Sequence, residues 1–211
     1  MTTEVNPPLP AIILLAAGAS TRLGRPKQLL KFRGKTFLRH SIETALASVG
    51  RPVIVVLGAN AEQITPEAEG LPVTSIANPQ WQEGMASSIR AGLNAATGQI
   101  NSPRSVILML CDQPFVTAAF LNQLAAVHQA GGYRIVAAEY GGGGGVPALF
   151  DRSLFPELAA LTGIQGAKPV IVRYAKESHW IQFPEAAIDI DYEEDVERLA
   201  SLRWAGSGTD A

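Results

Sequence analysis

Six short apolar runs rich in β-branched residues alternate along the chain with longer amphipathic segments. Short continuous apolar runs are typical of strands covered on both faces, and the longer segments repeat their apolar positions at helical spacing. The predicted strands span residues 11–16, 53–57, 73–76, 106–110, 134–138 and 146–150. The predicted helices span residues 36–48, 85–96, 117–130, 153–161 and 193–202. This alternation favours a three-layer α/β fold around a mainly parallel sheet.

Residues 165–184 fit two different structures. The β-branched residues at 170–172 are typical of a strand, whereas residues 165–168 are compatible with the start of a helix. Pro169 would interrupt such a helix because proline lacks a backbone N–H. The pattern therefore leaves this segment open.

The composition is that of a globular domain. With 211 residues, 47% of them hydrophobic, the chain can bury a sizeable core, and we expect one domain over residues 10–203 with flexible termini at 1–9 and 204–211. A net charge of −2 argues against non-specific binding of nucleic acid or of an anionic membrane. The chain has no apolar run of membrane-spanning length and no secretory signal, which predicts a cytoplasmic location. Cys111 is the only cysteine, so no intramolecular disulfide is expected.

The loop after the first predicted strand combines small and basic residues. In an open α/β sheet, ligands bind at the carboxyl ends of the strands, so this loop is well placed to contact one. Its small residues allow backbone N–H groups to approach an anion, and Arg22, Arg25 and Lys27 supply positive charge. The loop has neither GxxxxGK[ST] nor GxGxxG, so a P-loop or a plain NAD-binding domain is not expected. A flexible surface turn with solvated cations fits the same residues.

The string LLAAGASTRLGRPKQLL at residues 14–30 resembles the LAAGxSxRMGxPKxLL signature of the MobA-like nucleotidyltransferases, most closely the molybdenum cofactor cytidylyltransferases. The resemblance implies a three-layer α/β/α, Rossmann-like nucleotidyltransferase fold with a mainly parallel mixed sheet. It implies that the loop wraps a nucleoside triphosphate and that Arg22 and Lys27 are catalytic, stabilising charge on the phosphates. The backbone that binds the nucleotide would come from Leu15, Ala16, Ala17 and Gly18.

Two acidic positions are candidates for a Mg²⁺ site. Asp112 follows a strongly apolar strand in the sequence CDQP, where a carboxylate either faces the binding crevice or caps the next helix. CDQP also resembles the second signature of the family, which implies that Asp112 is catalytic, contacts the nucleotide and binds Mg²⁺. The segment at residues 188–195 resembles the family's DxDTPEDL, which implies Asp191 as a second metal ligand, with Asp189 as a weaker candidate. An acidic N-terminus for the last helix is the alternative.

The sequence NPQWQEGMASS at residues 78–88 resembles the family's NPxWxxGMxxS segment, which contacts the nucleoside. The resemblance implies nucleotide contacts from Asn78, Gly84, Ser87 and Ser88. Gly58, in the turn after the second predicted strand, is a further candidate for nucleotide binding. Trp81 is expected to pack rather than to stack on a base.

Five glycines at residues 141–145 are expected to form a flexible linker. They lead into VPALF, which resembles the family's G-x-PALF element and implies that Gly145, Pro147 and Ala148 lie on the acceptor side. There the glycines would either form a lid or let a bulky acceptor approach the backbone. One departure concerns the family's GDxGA segment, where this chain has Ile164 in place of the acidic residue. An isoleucine side chain neither binds a metal nor accepts a hydrogen bond, so the identity of the acceptor is open.

The resemblance implies a Mg²⁺-dependent transfer of CMP from CTP to the phosphate of molybdenum cofactor (molybdopterin), with release of pyrophosphate and with a molybdoenzyme as a possible partner. The preference for CTP rests on Ala17, since relatives that use GTP resemble LAGG at this point. The alternatives are a GTP-using or sugar-phosphate nucleotidyltransferase, and a non-catalytic cofactor-binding maturation factor for molybdoenzymes. His40, His128 and His179 lie outside these loops and are expected to be structural or on the surface.

Overall fold

The computed structural model describes residues 9–98, 102–188 and 195. Within this part of the chain a seven-stranded sheet has the order β5-β4-β1-β6-β8-β7-β9, and β2 and β3 form a separate hairpin. In chain order the strands are β1 Ala11–Ala16, β2 Lys31–Phe32, β3 Lys35–Thr36, β4 Val53–Leu57, β5 Thr74–Ala77, β6 Ser105–Leu110, β7 Ile135–Tyr140, β8 Gly143–Asp151 and β9 Ser178–Gln182. All six predicted strands are present, with ends that shift by up to three residues.

Six α-helices lie between the strands of the described part of the chain. They are α1 Phe37–Ala47, α2 Ala61–Ile64, α3 Met85–Thr97, α4 Ala118–Ala130, α5 Phe155–Ala159 and α6 Lys168–Arg173. Threonines cap α1 and α4, because the Thr36 hydroxyl accepts from Arg39 N at 3.1 Å and the Thr117 hydroxyl accepts from Phe120 N at 3.2 Å. Among the helices of the described segments, none is long and apolar enough to cross a membrane.

The sheet is mainly parallel, as the sequence predicted. β1 pairs in parallel with β4 and β6, β4 with β5, and β7 with β9. The exception is β8, which runs antiparallel to both β6 and β7. The carboxyl ends of β1, β4 and β6 therefore meet at one edge of the sheet, which is where ligands bind in folds of this type.

Two apolar cores cover the two faces of the sheet and make it the middle of three layers. Because successive side chains of a strand point to opposite faces, Ile12 and Leu14 of β1 enter one core and Ile13 and Leu15 enter the other. Helices α1 and α4 pack on the first face, while α3, α5 and α6 pack on the second. Fully burying each large side chain contributes about 1.5–3 kcal/mol, so these layers hold the strand ends in place.

Residues 170–172 are helical and belong to α6, so a strand at this position is wrong. Pro169 lies in the first turn of α6, where the backbone N–H has no partner within the helix and its loss carries no penalty. The prediction that Pro169 interrupts a helix is therefore also wrong. The predicted helix at 193–202 lies outside the described residues except for Asp195, which is helical.

The five glycines form the tip of a hairpin and not a linker. β7 ends at Tyr140 and β8 begins at Gly143, which leaves Gly141 and Gly142 as a two-residue turn. Their φ angles of +58° and +76° are both in the left-handed region, as a type I′ hairpin turn requires. The glycine run thus continues the sheet, and the expected linker is wrong.

Candidate functional site

Three loops leave the sheet side by side at the carboxyl ends of β1, β4 and β6. Leu15 of β1 is in register with Leu110 of β6 and with Val56 of β4. Beyond the strands, Cys111 N donates to Leu15 O at 3.3 Å, and Ala59 N donates to Ala17 O at 3.1 Å. These bonds place the loop after β1 between its two neighbours.

The long loop after β1 is closed by a buried glutamine. Gln28 has no exposed surface, and its Nε2 donates to Ala16 O at 2.9 Å and to Gly18 O at 2.8 Å. Lys27 N donates to Ser20 Oγ at 3.0 Å, which fastens the far side of the loop. Gln28 occupies a variable position in the family signature, so the sequence analysis missed it. A polar residue directly before two leucines, at the end of a mostly polar loop, was the feature of the sequence that could have indicated a buried Gln28.

Lys27 and Asp112 form an ion pair across this loop and the end of β6. Lys27 Nζ donates to Asp112 Oδ2, and the two side chains are only 18% and 10% exposed. The other carboxylate oxygen, Oδ1, is buried and has no hydrogen-bond partner among the described residues. A buried carboxylate oxygen without a donor is costly unless a ligand or ion satisfies it.

A cleft of about 320 Å³ opens over this ion pair. Its lining includes residues 15–19, the charged residues Lys27 and Asp112, and the apolar residues Trp81, Met85 and Ile164. A second hollow of about 270 Å³ is lined by Ser20, Thr21, Arg22 and Leu23. The two hollows share Gly18 and Lys27, so one elongated ligand can extend from one into the other.

Two of the four residues predicted to contact the nucleotide around the start of α3 line the cleft. Gly84 and Ser88 line it, whereas Asn78 and Ser87 line a neighbouring hollow. Asn78 is buried and its Nδ2 donates to Ser87 Oγ at 2.8 Å and to Ser88 Oγ at 3.1 Å. Asn78 and Ser87 thus hold the segment in shape, and Ser88 connects this network to the cleft.

Gly58 lies below the cleft and permits a close contact between loops. A Cβ at this position would lie 2.7 Å from both the Cβ of Ala17 and the Cβ of Trp81. The glycine is therefore required for packing the loops after β1 and β4 against the segment before α3. Gly58 is not among the residues that line the cleft.

The predicted acceptor side is mostly inside the molecule. Pro147 and Ala148 are buried, with Ala148 fully inaccessible in the second core. Gly145 pairs with Ala138 of β7. None of the three lines the cleft, and their place on the acceptor side stays a prediction.

Gln113, next to Asp112, ties the end of β6 to two distant segments. It is 3% exposed, and its Nε2 donates to Val146 O at 3.0 Å and to Ala186 O at 3.1 Å. Val146 lies where the pairing register of β7 and β8 shifts, which leaves its carbonyl available. The sequence motif included Gln113, but nothing in it indicated this bracing role.

The family model for the MobA-like NTP transferase domain matches residues 12–178. The chain belongs to this family. A curated relative of this MobA-like protein, nicotine blue oxidoreductase of Paenarthrobacter nicotinovorans, is 36% identical over 165 residues, covering 74% of this chain and 78% of that protein. The predicted resemblance to the MobA-like nucleotidyltransferases is confirmed.

Solved structures also match this MobA-like chain. The structure of Rv0371c from Mycobacterium tuberculosis H37Rv is 28% identical, with a TM-score of 0.81, and the match covers 94% of this chain and 100% of that one. A structure of Rv0371c in complex with manganese is 27% identical, with a TM-score of 0.73 and coverage of 92% and 98%. The predicted three-layer α/β nucleotidyltransferase-like fold is confirmed by this agreement.

The described part of this MobA-like site offers one carboxylate to a divalent cation. Among residues 9–98, 102–188 and 195, no group of three His, Cys, Asp or Glu side chains is placed to hold a metal ion. Asp112 Oδ1 is the kind of hard oxygen ligand that Mg²⁺ prefers, and its lack of a partner there makes it suited to a cation. Asp189 and Asp191 lie outside the described residues. Burial raises the pKa of the Cys111 thiol to about 12, so this cysteine is a neutral packing residue.

Proposed function

We propose that this protein transfers CMP from CTP to the phosphate of a molybdopterin acceptor and releases pyrophosphate. The observation that carries the proposal is the pairing of Lys27 with Asp112 beside two adjoining hollows. The second carboxylate oxygen of Asp112 is buried and has no partner among the residues that the structure describes. A cation and an unsatisfied carboxylate in one cleft suit a ligand that brings both phosphate and a divalent metal.

In this proposal the triphosphate lies along the loop after β1. Gly18 provides backbone at the junction of the two hollows, and Lys27 and Arg22 supply positive charge on its two sides. The nucleoside lies in the cleft against residues 15–17, Gly84 and Ser88, all of which line it. Asn78, Ser87 and Gly58 act indirectly by holding these walls together.

The reaction places few demands on acid–base groups. An oxygen of the acceptor phosphate, already ionised near neutral pH, forms a bond to the α-phosphorus of CTP. The bond from that phosphorus to the bridging oxygen breaks, and pyrophosphate leaves with the electron pair. Lys27 and Arg22 offset the charge that grows on the leaving group, and the fixed loops align the reactants. No histidine is needed as a base, and none lines the cleft within the described segments.

Mg²⁺ is the proposed cofactor. Asp112 would hold it through Oδ1, with Asp191 as the second proposed ligand. When bound, a divalent cation neutralises phosphate oxygens and polarises the phosphorus they surround. The existence of a manganese complex of the similar protein Rv0371c supports a divalent cation as the cofactor.

The choice of CTP rests on Ala17, and the choice of molybdopterin rests on the sequence resemblance of residues 14–30 alone. A GTP-using or sugar-phosphate nucleotidyltransferase would use the same charged pair, and a non-catalytic maturation factor would use the same cleft. Within this proposal the enzyme acts in the cytoplasm, with a molybdoenzyme as the recipient of its product.

A second candidate function is that of an oxidoreductase. The observation that favours it is the 36% identity to nicotine blue oxidoreductase over 165 residues. Consumption of NADH or NADPH in the presence of nicotine blue distinguishes this activity, since nucleotidyl transfer oxidises neither cofactor.

The first experiment measures pyrophosphate release with Mg²⁺ or Mn²⁺ and each of the four nucleoside triphosphates, with and without molybdopterin. Pyrophosphate release that requires both CTP and molybdopterin supports the proposal. Release with another triphosphate, or with a sugar phosphate as acceptor, supports nucleotidyl transfer but rejects the proposed substrates. No release under any condition, with tight nucleotide binding, favours the maturation factor.

Asp112→Asn provides the matched test of the site. Because it removes the carboxylate charge at constant size, we expect turnover to fall at least about 100-fold with the fold retained by circular dichroism. Asp151→Asn is the control. Asp151 ends β8, its Oδ1 accepts a hydrogen bond from Ser153 N at 2.9 Å, and it does not line the cleft. Turnover of Asp112→Asn equal to that of the control would remove Asp112 from the proposed chemistry.

A further inference from the structure

We propose that Ile164 is a specificity-determining residue which, with Met85 and Trp81, seats an uncharged, flat aromatic ring of the ligand. These three side chains are called the apolar mouth. The inference rests on the proposed function for the source of the ring, because both the base of a nucleotide and the heterocycle of a pterin acceptor have this chemistry.

Ile164 is exposed to an extent that is unusual for its type. Its exposed fraction is 79%, the highest among the large hydrophobic residues that the structure describes, and Met85 next to it is 37% exposed. Both line the cleft together with the half-buried Trp81. Apolar surface kept in water beside a cleft is covered favourably when a ligand with an apolar face enters.

The backbone holds Ile164 in this position. Gly163 O accepts from Ala86 N at 3.1 Å, which fastens the loop to the first turn of α3. Gly84 makes this contact possible, since a Cβ there would lie 2.6 Å from Gly163 O and 2.9 Å from the Cγ2 of Ile164. Ile164 therefore lies on a loop that is packed against the start of α3, and this contact holds the residue at the cleft.

The charges around the cleft favour an uncharged group at the apolar mouth. Of the described residues that line the cleft, the charged ones are Lys27 and Asp112, and they pair with each other. The nearby Glu83 and Arg90 also pair with each other, with Glu83 Oε2 and Arg90 Nη2 2.6 Å apart, and do not line the cleft. A charged group at the apolar mouth would lose water without gaining a counterion.

A flat ring suits these three side chains better than an aliphatic chain does. The thioether of Met85 makes favourable contacts with aromatic rings, and the indole of Trp81 offers either its face or its edge. The Cβ and Cγ atoms of Ile164 complete an apolar surface against which one face of a ring can lie. The acidic residue that the family usually has at this position would instead favour a polar or cationic group.

The test measures binding without turnover, by calorimetry, for CTP, an unphosphorylated pterin and inorganic tripolyphosphate. The variants are Ile164→Asn, which removes the apolar contact without adding charge, Ile164→Leu as the conservative exchange, and Val172→Asn as the control. Val172 is 65% exposed on α6 and does not line the cleft.

We expect Ile164→Asn to weaken binding of the ring-bearing ligand about 10-fold, with Ile164→Leu close to the unmodified protein and tripolyphosphate unaffected. Weaker binding of CTP alone identifies the ring as the base, and weaker binding of the pterin alone identifies it as the acceptor. The inference is overturned if CTP and the pterin both bind Ile164→Asn as tightly as the unmodified protein, or if neither binds the unmodified protein. It is also overturned if the affinity for tripolyphosphate falls equally, or if Val172→Asn has the same effect as Ile164→Asn. Ring selectivity without pyrophosphate release would retain the inference and reject the proposed reaction.

Discussion

Two buried amide side chains, Gln28 and Gln113, determine where the charged residues of the site lie. Gln28 donates to two carbonyls of the loop after β1 and so places the adjacent Lys27. Gln113 donates to two carbonyls from β8 and from residues 184–187 and so places the adjacent Asp112. An amide is suited to this role because it donates two hydrogen bonds without adding a charge near the ion pair.

Gln113→Leu should destabilise the protein because it leaves Ala186 O without its donor, whereas Val146 O keeps a hydrogen bond from the Tyr140 hydroxyl at 3.0 Å. The unsatisfied carbonyl costs about 1–3 kcal/mol, partly offset because Gln113 Oε1 itself has no partner among the described residues. A net loss of about 1 kcal/mol corresponds to a fall of about 2–4 °C in the midpoint of thermal unfolding for a domain of this size.

Differential scanning calorimetry of Gln113→Leu against Gln63→Leu checks this expectation. Gln63 is exposed on α2, so its exchange changes side-chain chemistry without removing a buried donor. Equal midpoints for the two variants would show that the Gln113 hydrogen bonds contribute no net stability.

At the scale of elements, the hairpin of β7 and β8 shows how glycine can build a strand. The run of five glycines has no side-chain alternation, so a pattern of hydrophobic and polar positions could not predict a strand there. The reason for the glycines lies in the neighbouring strands. A Cβ on Gly144 would lie 1.7 Å from Cζ3 of Trp180, and one on Gly145 would lie 2.2 Å from the hydroxyl of Tyr140.

Gly144→Ala is therefore expected to destabilise the protein, since the indole of Trp180 must leave its place on the second core. Overpacking of this kind costs about 1–3 kcal/mol, or about 2–12 °C in the unfolding midpoint. Gly143→Ala is the matched control, because a Cβ there meets nothing within 4 Å and its φ is not in the left-handed region.

The control should unfold within about 2 °C of the unmodified protein, since an exposed substitution of this kind changes stability by at most about 0.5 kcal/mol. Both variants are compared by thermal unfolding followed with far-ultraviolet circular dichroism. A Gly144→Ala midpoint equal to that of Gly143→Ala would mean that the hairpin tip moves freely enough to accept the methyl group.

For the whole molecule, the apolar pattern predicted the sheet because its central strands are buried on both faces. It did not predict β9, whose residues Ser178–Gln182 are only partly buried, or the helical state of residues 170–172. In α6 the β-branched composition favoured a strand, and tertiary packing of Val170 and Ile171 on the second core overrode that local preference. Sequence pattern thus located the buried central strands and the edge strand β5, and it failed at the other edge strand, β9, and at α6.

The residues of the site also fall into those that the sequence motifs predicted and those that they did not. The signature residues Gly18, Lys27 and Asp112 meet at one cleft, as expected for loops at the ends of neighbouring strands. The contributions of Gln28 and Ile164 depend on long-range contacts, with Ala16 and Gly18 for the first and with Gly84 for the second. A motif fixes the order of residues along the chain, whereas these contacts arise only after the layers have packed.

The free energy of unfolding of the whole domain should depend on pH through His40. His40 on α1 joins three parts of the fold, since its ring contacts Phe32 of β2 edge to face and its Nε2 donates to Pro114 O at 3.0 Å. Burial lowers the pKa of His40, although the Pro114 carbonyl and Glu43 oppose the shift, and Arg33 and Lys35 add to it. The folded protein therefore favours neutral imidazole.

Because the pKa of His40 is lower in the folded state than in the unfolded chain, the unfolded chain binds this proton first as the pH falls. Stability should decrease as the pH falls from about 7.5 through the ordinary histidine pKa of about 6.5 to the lowered folded-state value, below which this contribution is constant. His40→Gln retains an N–H donor for Pro114 O but does not titrate, so its free energy of unfolding should change less between pH 7.5 and pH 5.5. Urea unfolding at the two pH values measures the difference, and identical changes in both proteins would exclude His40 as a source of acid destabilisation.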